Sequence, residues 1–234
     1  MPIGFPRRAS TKQSVLRAWQ RHTSTPTEDR QGFDLLARHA RDAYAALNLL
    51  HEAQAHADQL LHEVRHDGLT GLANRAYIME DLALRLADRR PTALFFVDLD
   101  GFKQINDTMG HRGGDEVLMT VADRLSEAQR DGELVGRLGG DEFVVLSPVT
   151  SRTSLEALKE RGERLAQVAG QPIEIGGIYA RVGASIGVAI DDGRLGPDHL
   201  ISLADTAMYE AKRGDASIEV SDKVSAALNE MRAV

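Results

Sequence analysis

ELVGRLGGDEFVVLS, residues 133–147, decides how this chain folds. Two apolar runs flank a Gly-Gly pair, which is the pattern of a β-hairpin with buried strands. A two-residue turn at Gly139-Gly140 puts Asp141 at the first position of the returning strand. The turn itself calls for the glycines and not for two successive carboxylates after them. Side chains alternate across a strand, so regular geometry sends Asp141 and Glu142 to opposite faces. One carboxylate, most simply Asp141, then serves a ligand at the sheet edge, while Glu142 serves an adjacent ion or orients water. The glycines also let backbone amides approach that ligand closely.

Upstream, TALFFVDL (92–99) is a short apolar run with the length of a buried strand. Asp98 ends it, so its carboxylate meets the sheet edge; Asp100 is placed to cap the helix that follows. Asp98 and Asp141 together form an oxygen donor set suited to a hard cation such as Mg²⁺. Lys103, at the start of a short helix, adds one ammonium to the helix N-terminal amides, a natural phosphate cradle. Asp115 opens a helix after Gly113-Gly114 and reads as an N-cap. Paired with Asn106 it also offers a second chemistry, because a carboxylate accepts two N–H groups of guanine and an amide meets other edges of the base.

The remaining elements follow from periodicity. LTGLANRAYIMEDLALRLADR (69–89) is a loop and an amphipathic helix, GFKQINDTMG (101–110) a brief helix and turn, and GDEVLMTVADRLSEAQR (114–130) a helix. SLEALKERGERLAQVAG (154–170) is a helix, IEIGGIYARVGASIGVAI (173–190) two strands, HLISLADTAMYEAKR (199–213) a helix and SIEVS (217–221) a last strand. This order predicts an α+β fold, with helices covering one mostly antiparallel sheet.

Residues 1–66 differ in texture and form an N-terminal helical region, with the second domain over 67–234. A short helix is expected over 11–22 and a linker over 23–32. From Phe33 to Arg65 Ala43, Leu47, Leu50, Gln54, Ala57, Leu61 and Val64 step by fours and threes. That heptad seam, over about 43–64, predicts a dimerising coiled-coil stalk. His62 and His66 share a helix face and read as solvated histidines rather than metal ligands.

Composition bounds the function. The 234 residues contain no cysteine, which excludes disulfides and thiolate metal sites. No apolar run reaches the ~18 residues of a membrane span, and MPIGFPRRAS lacks the apolar stretch of a signal peptide, so a cytoplasmic location is expected. Residues 67–234 carry 19 Lys and Arg against 28 Asp and Glu, a poor match for nucleic acid. A phosphate ligand there needs metal ions to offset the repulsion.

Five ordered blocks, DGLTGLANR (67–75), VDLDGFKQINDTMGHRGGDEVL (97–118), GRLGGDEF (136–143), ASIGVAI (184–190) and ADTAMYEAK (204–212), resemble the GGDEF-domain diguanylate cyclases. The resemblance covers about Asp67 to Ser221. It implies a palm-like sheet similar to that of class III nucleotidyl cyclases. It further implies a homodimer in which the 3′-OH of each GTP attacks the α-phosphate of the other, giving cyclic di-GMP and pyrophosphate with Mg²⁺ or Mn²⁺ as cofactor. By position, Asp98, the Leu99 carbonyl, Asp141 and Glu142 match metal ligands, with Asp141 as proton acceptor and Glu142 assisting catalysis. Asn106 and Asp115 match the guanine-binding pair, His111 a nucleotide contact, Gly139 and Gly140 the signature turn. Lys103 and Lys212 match triphosphate-contacting lysines, Lys103 being the transition-state stabiliser.

Two departures stand out. The family's product-inhibition motif is Arg-x-x-Asp, whereas here the window reads Arg130-Asp131-Gly132-Glu133, which leaves Arg130 and Glu133 as the candidate product-inhibition site. Ala216 stands where a phosphate-contacting arginine is often found, with Arg213 nearby. The expected function is an active cyclase whose N-terminal helices dimerise the chain or receive a sensory or regulatory protein. The alternative is a catalytically silent domain that binds GTP or cyclic di-GMP.

Overall fold

The structure, a computed structural model, describes residues 27–191, 193–194, 196–214 and 216–232. The helix expected over 11–22 lies outside them. The chain divides into two compact units at Leu60/Leu61.

The first unit is built on helix α1, which runs Thr27–Arg65 and crosses the division. The helix takes in residues 27–32, which the sequence reads as linker: Gly32 costs a helix about 1 kcal/mol and does not break it. Along α1, Leu35, Leu36, Tyr44, Leu47 and Leu50 all keep more than half of their surface exposed.

The second unit carries a six-stranded sheet in the order β1-β3-β4-β2-β7-β8. The strands are β1 (Ala73–Asn74), β2 (Thr92–Asp100), β3 (Leu134–Gly139), β4 (Glu142–Pro148), β7 (Gly183–Asp191) and β8 (Ile218–Val220). Its three central pairings are antiparallel, and the outer pairs, β1 with β3 and β7 with β8, are parallel. The helices are α2 (Arg75–Ala87), α3 (Phe102–Glu127), α4 (Leu155–Ala169), α5 (Pro197–Arg213) and α6 (Lys223–Arg232).

Segment 173–190 holds three strands rather than two. Gly176 and Gly177 both take positive φ, 57° and 83°, and fold β5 (Ile173–Ile175) back on β6 (Ile178–Ala180) as a separate ribbon. α3 joins the two helical pieces expected over 101–130, with a kink at Gly110 (φ 72°) in place of a turn. Helix α6 has no counterpart in the expected order; its Val224 and Leu228 are buried in the core.

Strand β2 is covered on both sides, which explains its unbroken apolar run. Ala93, Phe95, Val97 and Leu99 pack with Val117, Val121 and Leu125 of α3 and Leu165 of α4. Leu94 and Phe96 pack with Ile78 and Leu82 of α2 and Leu200 and Ala204 of α5. Asp98 continues the second series and therefore emerges on the α2/α5 face. Helix α5 lies flush on β7: a Cβ at Gly187 would sit 1.9 Å from the Ala204 carbonyl oxygen and 2.2 Å from the Met208 nitrogen. Both contacts are backbone, so neither can swing aside. Gly187→Ala is expected to cost about 1–3 kcal/mol through overpacking, measured by urea denaturation.

Candidate active site

In the sheet register, Asp98 of β2 stands directly opposite Glu142 of β4. Residues so paired share a face, with Cβ atoms about 4.5–5.5 Å apart. The carboxylate sharing Asp98's face is thus Glu142, while Asp141 lies in the turn beside it. The turn also falls one residue later than expected. Gly139 pairs with Glu142 and the register shifts between Arg137 and Gly139, so the two turn residues are Gly140 (φ 54°) and Asp141. The bulge is at Leu138, whose side chain is buried with the residues of α2 and α5; taking up that extra residue moves the turn forward.

One guanidinium holds this turn. Arg137 donates from Nε and Nη2 to the Gly140 carbonyl at 3.0 and 2.7 Å, and from Nη1 to Asp67 Oδ1 at 2.9 Å. Asp67 also accepts from the Thr70 amide and hydroxyl. Burial works to raise the Asp67 carboxyl, but the hydrogen bonds from Thr70 and Arg137 outweigh it and hold the group below the usual carboxylate range. Neither Arg137 nor Asp67 was singled out from the sequence, although each lies in a quoted block; an arginine three residues before a turn carbonyl is the signal that was available.

The carboxylates themselves are crowded. Partial burial, then the charge of Asp98, raises the Asp141 carboxyl despite Lys212 and Arg137. Burial and the charges of Asp98, Asp205 and Asp141 raise Glu142, with Arg75 opposing. The countercharge comes from the last turn of α5, where Lys212 donates to Asp98 Oδ1 and lies 3.8 Å from Asp100 Oδ1. Burial works to lower the Lys212 ammonium, and the bond to Asp98 with the neighbouring carboxylates raises it on balance. Asp100 is not a helix cap: Gly101 occupies that position with φ 79°, and Asp100 instead accepts from Ser185 Oγ at 3.0 Å.

The remaining candidates lie on α3, which packs on the opposite face of the sheet but starts at the edge that Asp98 reaches. Asn106 is half-buried and lies over Gly114, where a Cβ would sit 2.0 Å from its Oδ1. Lys103, His111 and Asp115 are exposed, and among the described residues no hydrogen bond or ion pair ties them to the carboxylates. Leu99 turns its side chain into the core on the α3 face. The structure therefore brings Asp98, Asp141, Glu142 and Lys212 together and arrays Lys103, Asn106, His111 and Asp115 along the neighbouring helix. Arg213 sits over the Tyr209 ring, 5.8 Å from its centroid, and Ala216 is exposed.

Glu133 and Arg130 part company. Arg130 is exposed, whereas the Glu133 side chain is 1% exposed and accepts from Arg161 Nε at 3.0 Å and Nη2 at 2.6 Å. It also accepts from the Arg130 backbone amide at 2.9 Å, and Arg161, itself 3% exposed, donates on to the Ala128 carbonyl.

Comparison with known proteins gives this geometry a context. Residues 64–217 match the family model described as "Diguanylate cyclase, GGDEF domain". The diguanylate cyclase DgcP of Escherichia coli is 37% identical over 175 residues, covering 72% of this chain and 50% of the relative. The chain spans between 22% and 50% of the length of the curated relatives it matches here. Among solved structures, the coiled coil and GGDEF domain of DgcB from Caulobacter crescentus, in complex with c-di-GMP, superposes with a TM-score of 0.67 at 27% identity, over 80% of this chain and 98% of that one. The diguanylate cyclase SiaD of Pseudomonas aeruginosa, in complex with its activator SiaC, gives 0.64 at 27% identity, over 90% and 80%.

Two measurements probe these charges. A carboxyl raised in the folded state binds its proton more tightly there than in the unfolded chain, so stability is lost as pH rises through its raised value. Glu142→Gln removes that loss and is expected to stabilise the metal-free protein by about 0.5 kcal/mol at neutral pH, the scale of a like-charged cross-strand pair. The advantage should vanish below the carboxylate range, as urea denaturation at several pH values will report. Glu133→Ala strands the Arg161 charge in the core and should cost about 3–5 kcal/mol by the same assay.

Proposed function

The chain belongs to the GGDEF diguanylate cyclase family, and we propose that it condenses two GTP molecules into cyclic di-GMP with release of two pyrophosphates. The observation that carries this reading is the convergence of Asp98, Asp141, Glu142 and Lys212 at one sheet edge, beside the start of α3.

The donors there are all oxygen, which fits a hard divalent cation. Among the described residues no three or more His, Asp or Glu are grouped as a ready-made metal centre. Mg²⁺ takes one or two carboxylates and completes its shell with water and substrate phosphates. In the proposed arrangement Asp98, Asp141 and the Leu99 carbonyl hold the metal, with Glu142 assisting; Mg²⁺ or Mn²⁺ fits. When bound, the cation neutralises the triphosphate and polarises the α-phosphate.

The chain's own groups do the rest. Asn106 and Asp115 bind the guanine edge, His111 contacts the nucleotide, and Gly139 and Gly140 keep the turn's backbone open to the phosphates. Lys103 and Lys212 meet the triphosphate, Lys103 stabilising the charge that develops in transfer. The 3′-oxygen forms its bond to the α-phosphorus while the bond to the β-phosphate oxygen breaks and pyrophosphate leaves. Asp141 accepts the hydroxyl proton as that bond forms.

Each ring closes from two nucleotides, so two domains must face each other as a homodimer. The exposed heptad residues Leu47, Leu50, Leu61 and Val64 support dimerisation through α1, because a helix of this length draws most of its stability from packing its apolar stripe. The likeness to the coiled coil with GGDEF domain of DgcB supports that assignment. Docking of a regulatory protein is supported by the likeness to SiaD, solved with its activator. No described helix is long and apolar enough to cross a membrane, and a GTP-consuming reaction places the second unit in the cytoplasm. At Glu133 the geometry supports a structural role in place of product inhibition, because Arg161 already takes both glutamate oxygens.

Incubation of the purified chain with GTP and Mg²⁺, followed by nucleotide separation, should yield cyclic di-GMP and pyrophosphate; GTP bound and unconverted would overturn the assignment. Asp98→Asn should lower the rate about a hundredfold or more, and turnover per molecule should fall on dilution as dimers dissociate.

A further inference from the structure

Asp98, Asp100, Asp141 and Glu142 crowd one sheet edge, and the cations around them are unequally available. Arg137 is committed to the Gly140 carbonyl and to Asp67. Arg75 acts on Glu142 through its charge, against that of Asp205. Lys212 alone of these donates to Asp98, with Asp100 at 3.8 Å, and its side chain is 42% exposed. We propose that Lys212 is an exchangeable counter-ion: its ammonium neutralises Asp98 and Asp100 until a divalent cation and a nucleoside triphosphate arrive together, and then passes from the carboxylates to the phosphates.

The physical argument is competition for one carboxylate. A cation coordinated by Asp98 would share that carboxylate with the ammonium, and two positive charges a few ångströms apart repel unless further negative charge accompanies them. A triphosphate supplies that charge. Lysine suits the exchange because its compact ammonium sits on a flexible four-carbon stem with three rotatable donors, whereas an arginine fork is tied to its geometry. The metal alone therefore binds weakly, the metal with nucleotide binds well, and each raises the affinity for the other by the same factor. The nucleotide half of this inference rests on the cyclase reading; the metal half rests on the Lys212–Asp98 contact.

The test titrates Mn²⁺ against the full chain and its Lys212→Gln and Lys212→Arg variants, following loss of the free-ion paramagnetic resonance signal. Without nucleotide, Lys212→Gln should bind Mn²⁺ about tenfold more tightly than the parent, equivalent to about 1.4 kcal/mol, and Lys212→Arg should stay close to the parent. With the α,β-methylene analogue of GTP present, Lys212→Gln should bind the analogue more weakly, and the mutual enhancement of metal and analogue should shrink. Equal or weaker Mn²⁺ binding by Lys212→Gln without nucleotide, or no Mn²⁺ binding by any of the three, overturns the proposal. A parent that makes no cyclic di-GMP would instead defeat the cyclase reading, and the nucleotide-free comparison would still decide the role of Lys212.

Discussion

Like charges held close together are the constraint on which the second unit turns. The register of β2 against β4 leaves Asp98 facing Glu142, and the hairpin turn adds Asp141. An arrangement of this kind works against stability, since a sheet pays for like charges across a strand pair. It persists because the surrounding structure fixes it: β2 is packed on both faces almost to its end, Leu138 anchors the bulge, and Arg137 ties the turn to Asp67. Lys212, from the last turn of α5, offsets part of that repulsion through its bond to Asp98.

The two faces of the sheet divide the labour. The α2/α5 face receives the acidic groups and the lysine, while α3 on the other face begins where β2 ends and carries the groups suited to a nucleobase. A ligand at this edge meets charge from one layer and hydrogen-bonding side chains from the other. Gly114 leaves room for the half-buried Asn106 amide beside the second part of α3, so the position of that amide is set by backbone packing as much as by its own rotamer.

Much of this was legible in the sequence, for identifiable reasons. The continuous apolar run of residues 93–97 was consistent with a buried strand, and Asp98 at its end stood out as a charge without a core to enter. The hairpin was legible from its glycines, but its exact turn was not, because a bulge depends on where Leu138 finds a pocket, which is a tertiary matter. The Asp100 cap failed for a similar reason: Ser185, 85 residues away, offers the carboxylate a hydroxyl that no local pattern announces. The ion pair of Glu133 with Arg161 was equally hidden, since 28 residues separate the partners and the local window pairs Glu133 with Arg130 instead. Local rules recovered the elements; long-range pairings corrected the residues between them.

The flush contact of α5 on Gly187 has a kinetic corollary. With Ala204 and Met208 seated directly on the backbone of β7, the helix and the sheet have no clearance to slide, and they behave as a single body. Any displacement of the Lys212 ammonium then falls to the torsions of its own side chain. Rotations of exposed side chains take picoseconds to nanoseconds, whereas collective shifts of packed elements take microseconds or longer. Rearrangement of that side chain is therefore complete on a timescale in which the helix and the sheet have not moved at all.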